Sequence, residues 1–88
     1  MGYLKEKTVR VESLGDSMLI RELPAVAQIQ IMEASEKPFE GIFIACSYGV
    51  VDWLGKTVDE IKSMVSLTQA SDIASQVFEL SGGSDAGN

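Results

Sequence analysis

The stretch from Val9 to Leu23, VRVESLGDSMLIREL, constrains the fold more than any other part of this chain. Val9 and Val11 alternate with Arg10 and Glu12, the period-2 pattern of a strand with one buried face. Leu14-Gly15-Asp16 interrupts the alternation with turn chemistry, since glycine tolerates positive φ and aspartate bonds back to its own backbone. Met18 and Ile20 resume it against Ser17, Leu19 and Arg21. The pattern predicts a β-hairpin over about residues 8–22, turning near Gly15. Two strands alone are marginal in water, so the apolar segments after Leu23 are expected to cover the hairpin.

Those later segments change to helical spacing. Pro24 suits a first helical turn, where its missing N–H is not needed, and Val26, Ile29, Met32 and Glu33 continue a helix to about Ser35. Pro38 disfavours the α conformation at Lys37 and marks a connector. Along Phe39–Val51, a helical wheel groups Phe39, Ile42, Phe43, Cys46 and Val50. Ile44, Tyr48 and Val51 fall roughly opposite, leaving Glu40 and Ser47 as a narrow polar strip. A helix apolar on nearly all sides is either central to the core or covered by a partner. Gly41–Ile44 also fits a buried strand, and periodicity does not separate the two; the helix is the preferred reading. Asp52–Lys56 reads as a turn. Thr57 with Glu60, and Ser66 with Gln69, carry the capping-box spacing that opens two further helices. In the last one Leu67, Ala70, Ile73, Ala74, Val77, Phe78 and Leu80 share half of the wheel. The expectation is a mostly helical α+β domain over residues 1–80, an N-terminal hairpin followed by three to four short helices. Residues 1–7 read as a loose terminus and residues 81–88, SGGSDAGN, as a flexible Gly/Ser-rich tail.

Charge narrows the function classes. With 13 acidic and 7 basic residues the net charge is −6, a poor match for nucleic acid or an anionic membrane surface. The N-terminus has no apolar run resembling a signal peptide, Glu6 stands where myristoylation wants Ser or Thr, and Gly41–Val51 is too short to span a bilayer. Cys46 is the single cysteine, which rules out an internal disulfide and fits a reducing, cytoplasmic setting.

No catalytic constellation emerges. Leu54-Gly55-Lys56-Thr57 ends like a phosphate-binding loop, but the motif's first glycine belongs at position 50, where Val50 stands; a polar turn entering a helix cap is the plainer reading. Asp16-Ser17-Met18 resembles the attachment segment of acyl or peptidyl carrier proteins, whose serine carries phosphopantetheine and begins a helix. Only sixteen residues precede Ser17, too few for a carrier's first helix and loop, and Pro24 would fall inside the helix that the serine opens. There is no histidine, so Cys46 lacks an activating base and reads as a small buried hydrophobe, and a zinc site lacks ligands. The carboxylates, Glu6 to Glu60, are scattered among lysines and turns as on a solvated surface. Neither a metal nor a cofactor is expected, and no enzymatic activity.

Several features together resemble tail assembly chaperones of long-tailed phages with non-contractile tails. Thr8-Val9-Arg10-Val11 and Leu14-Gly15 lead to Ile20-Arg21-Glu22-Leu23 and a helix. The apolar Ile42–Val51 segment then runs into Asp52-Trp53-Leu54-Gly55-Lys56, and an amphipathic helix ends at Leu80-Ser81-Gly82. Pro24 stands where such proteins often carry Ser or Thr. The resemblance implies a non-catalytic protein of the infected host's cytoplasm. It would hold the long tape-measure protein soluble, help recruit tail-tube subunits and leave before the virion is finished. A small tail or connector subunit of the particle is the alternative from the same setting.

Partner contact then needs apolar surface. If Phe39–Val51 is one helix whose Phe39, Phe43, Cys46 and Val50 face the hairpin and the other helices, Ile44 and Val51 point away with little material to cover them. Ile44 and Val51 are thus expected at a contact with a second copy or a client, together with Phe78 on the broad stripe of the last helix.

Overall fold

Period-2 alternation and turn chemistry produce the hairpin where the sequence places it. In the computed structural model, which describes residues 3–83, β1 (Glu6–Val11) pairs antiparallel with β2 (Asp16–Arg21). The register sets Val9 opposite Met18 and Val11 opposite Asp16, and Gly15 takes φ +66° in the turn. Val9, Val11 and Ile20 point into the core. Glu6 and Lys7, read from sequence as a loose terminus, are the first rungs of the ladder.

Four α-helices follow: α1 (Ala25–Glu33), α2 (Glu40–Gly49), α3 (Val58–Met64) and α4 (Leu67–Phe78). The α+β, mostly helical class is as expected, and the Gly41–Ile44 ambiguity resolves to helix. Both capping boxes are formed. Thr57 Oγ1 accepts the Glu60 N–H at 3.1 Å while Glu60 Oε1 accepts the Thr57 N–H at 2.7 Å, and Ser66 with Gln69 repeats the arrangement.

Helix α2 is the centre of the domain. Its Cys46 thiol approaches the Ala70 carbonyl of α4 at 3.5 Å, its Gly41 lies against Ile31 of α1, and its Tyr48 hydroxyl accepts from Gln30 of α1 at 3.2 Å. Phe43 lies beneath Lys62 of α3, 5.8 Å from the ring centroid. Neighbours on three sides explain why an almost wholly apolar helix is stable here. Helices α2 and α4 cover the hairpin. The cover expected from the segments after Leu23 thus comes from α2 and α4, while α1 packs on α2.

The helix stops at Gly49 because Val50 turns to extended backbone, φ −97° and ψ 117°, and bridges to Ile20 of β2. Arg21 Nε donates to the Tyr48 carbonyl at 2.7 Å, placing a cation on the negative end of α2. Val51–Trp53 forms a short 3-10 turn, so Val51 is not on the α2 wheel. At the far end, α4 closes at Phe78 rather than residue 80 and widens into a π-type turn over Glu79–Gly83. Ser81, expected in a tail with nothing to bury, is half-buried: its Oγ donates to the Val77 carbonyl at 2.6 Å and accepts the Leu23 N–H at 2.9 Å. Residues 84–88 of the expected tail lie outside the described residues.

Candidate functional site

Helix α1 carries two apolar faces. At 3.6 residues per turn, Ala27, Ile31 and Ala34 fall on one side and Val26, Ile29 and Met32 on the other. The first set is turned to the core: Ala27 is fully buried, and Ile31 and Ala34 pack against it. The second set faces solvent, with Val26 50% exposed, Ile29 53% and Met32 73%. Small inner residues explain the choice. Alanines at 27 and 34 and the bare Cα of Gly41 opposite Ile31 let α1 approach α2 closely, where the bulkier outer set would not fit.

The outer face runs into an open groove of about 260 Å³ between α1 and the end of α4. Leu23, Gln28, Ile31, Met32 and Phe78 line it together with Ser81, whose hydroxyl holds the Leu23 N–H just before α1. Phe78, a sequence-expected contact residue, is 38% exposed on its rim. Exposed Val26, Ile29, Met32 and Phe78 make a surface of the kind that marks an interaction site.

The other two expected contact residues are placed differently. Ile44 is 7% exposed and belongs to the core. It shares the side of α2 that carries Gly41 and Tyr48, and α1 covers that side. Val51 is half-buried in the 3-10 turn. Phe39, expected to face the hairpin and the other helices, stands before the first turn of α2 and is 56% exposed. The expected inside and outside of this segment are thus exchanged at Phe39 and Ile44, because α1 packs on α2 and not on the strands. In the sequence Val26, Ile29 and Met32 read as a helical stripe and Met32, like Phe43, as a core residue; Phe43 is buried as expected, whereas Met32 lies outside. The signal against burying them is the competing Ala27–Ile31–Ala34 stripe on the same helix, two of whose three residues are alanine.

The remaining candidates fall apart as sites. Ser17 is exposed near the start of β2, opposite Arg10, and no helix begins there. The Gly55-Lys56-Thr57 segment is a turn, φ +93° at Gly55, whose Thr57 hydroxyl is taken by the cap of α3. It borders an open hollow of about 480 Å³ with Arg21, Gln30 and Tyr48, and the Arg21 Nε–H in that hollow is committed to the Tyr48 carbonyl. Cys46 is buried, and desolvation pushes its thiol up to about 12. Among the described residues no group of three or more Cys, Asp or Glu is placed to hold a metal ion, and no helix is long and apolar enough to cross a membrane. Glu40 pairs with Lys62 at 3.2 Å and Glu12 with Arg10 at 3.4 Å, both on the surface.

No protein family, curated protein or solved structure matches this chain.

Proposed function

We propose that this chain is a non-catalytic tail assembly chaperone that holds the apolar helices of a tape-measure protein in solution and helps bring tail-tube subunits to it. The observation that carries the reading is the outward stripe of Val26, Ile29 and Met32 running into the Met32–Phe78 groove. A client helix lying along that groove would anchor its own apolar side chains at i, i+3 and i+7 spacing. The chain's net charge of −6 supports solubility of the loaded complex and keeps it off nucleic acid. The resemblance in Thr8–Leu23 and Ile42–Lys56 supplies the identity of the client. The setting is the cytoplasm of an infected host, with the protein absent from the finished particle.

Co-expression tests this. Wild-type chain should raise the soluble fraction of the cognate tape-measure protein, and Met32→Lys, which adds charge at an exposed position, should abolish the gain while leaving the fold intact. An equally insoluble client with and without the chain would reject the assignment. Recovery of the chain from purified virions would favour a structural tail subunit instead.

A further inference from the structure

We propose that the outer face of α1 pairs with the same face of a second copy of this chain, the two helices running antiparallel about a two-fold axis at Ile29. The proposal needs no client and does not rest on the chaperone reading.

The face is self-complementary in charge. Helix α1, AVAQIQIME, has no basic residue and one acidic residue, Glu33, at its C-terminal end. There Glu33 meets the negative end of its own helix, an unfavourable position, and it has no ion pair among the described residues. The N-terminal end has the opposite deficit. Pro24 provides no side-chain cap, and the first turn carries no acidic residue. Helical spacing places Ala25, Val26, Ile29, Met32 and Glu33 on the outward side together.

An antiparallel pair centred on Ile29 sets Val26 of each copy against Met32 of the other, and Ala25 against Glu33. Each Glu33 carboxylate then meets the uncapped, positive N-terminus of the neighbouring α1. Both deficits are relieved by one symmetric contact, as an isologous interface requires. A parallel pair would instead set Glu33 against Glu33 and one positive helix end against the other. An arbitrary apolar client would satisfy the stripe but has no reason to match both ends. That favours a second copy as the occupant. Because the stripe that would grip a client is the one covered, pairing and client binding exclude each other on this face.

Sedimentation equilibrium of the full chain, with nothing else present, reads the outcome. The expected mass doubles with concentration and returns to the monomer on dilution. Ile29→Glu, at a half-exposed position, should stay monomeric with an unchanged circular dichroism spectrum. Glu33→Lys should raise the dimer dissociation constant about tenfold at low salt, an effect that added salt removes. Orientation is read by cross-linking, because the buried Cys46 thiol does not compete. Val26→Cys mixed with Met32→Cys should form the mixed disulfide in preference to either variant with itself. A wild-type chain that is monomeric throughout overturns the proposal, as does a dimer that survives Ile29→Glu. A chain that is monomeric alone and gains mass only with an added apolar helical peptide gives the face to a client and also overturns it. Preferential self-cross-linking of each cysteine variant rejects the antiparallel arrangement.

Discussion

A Cβ atom on Gly49 would lie 2.6 Å from Cγ1 of Val77, so the crossing of α2 and α4 is built around a residue without a side chain. Ala45 on α2 and Ala70 and Ala74 on α4, all buried, keep the same approach close. Gly49→Ala should destabilise the domain by about 1–3 kcal/mol through overpacking, more than the roughly 0.5–1 kcal/mol that alanine gains over glycine in a helix. Val77→Ala in the same chain should recover part of the loss, a non-additive pair in urea unfolding. An additive double variant would show that the two residues do not press on each other.

Substitution should separate two isoleucines that look alike in sequence. Ile44→Glu places a carboxylate in the core beneath α1 and should cost about 3–5 kcal/mol, enough to unfold much of a small domain. Ile29→Glu should change unfolding of the monomer by less than about 0.5 kcal/mol, as expected for an exposed position. Chemical denaturation of the two variants at low protein concentration checks the contrast.

Ser81 ties the last turn to the segment between hairpin and α1. Ser81→Ala removes the acceptor of the Leu23 N–H and the donor to the Val77 carbonyl. The loss should be about 1–3 kcal/mol, since the Leu23 amide is left part-buried without a partner. Hydrogen exchange at Leu23 should accelerate with it, and an unchanged rate there would argue against the bond.

Cys46 should make the fold sensitive to alkali. Its thiol has an ordinary value of 9.0, and burial raises it to about 12 in the folded chain. The unfolded chain therefore loses this proton first. Stability contributed by the neutral buried thiol is complete below pH 9.0 and is lost as pH rises through about 12. The difference in unfolding free energy between wild type and Cys46→Ala should be flat below that window and narrow within it. A disulfide reagent at neutral pH should label the unfolded chain and leave the folded one almost untouched.

What the sequence determined by itself were the elements whose signals are local. Alternation around Gly15 specifies the hairpin, and Thr57–Glu60 and Ser66–Gln69 specify where α3 and α4 begin, because caps and turns are satisfied within a few residues. The buried half of α4, Ala70, Ile73, Ala74 and Val77, follows from its one-sided stripe. Where a helix is apolar on two sides, periodicity has no preferred direction, and packing decides. Tertiary structure alone turned Ala27, Ile31 and Ala34 inward and left Val26, Ile29 and Met32 outside. It also buried Ile44 while leaving Phe39 exposed. The physical reason is close approach: Ile31 of α1 meets Gly41 of α2 at a distance that a side chain at position 41 would crowd, and that contact exists only once both helices are in place.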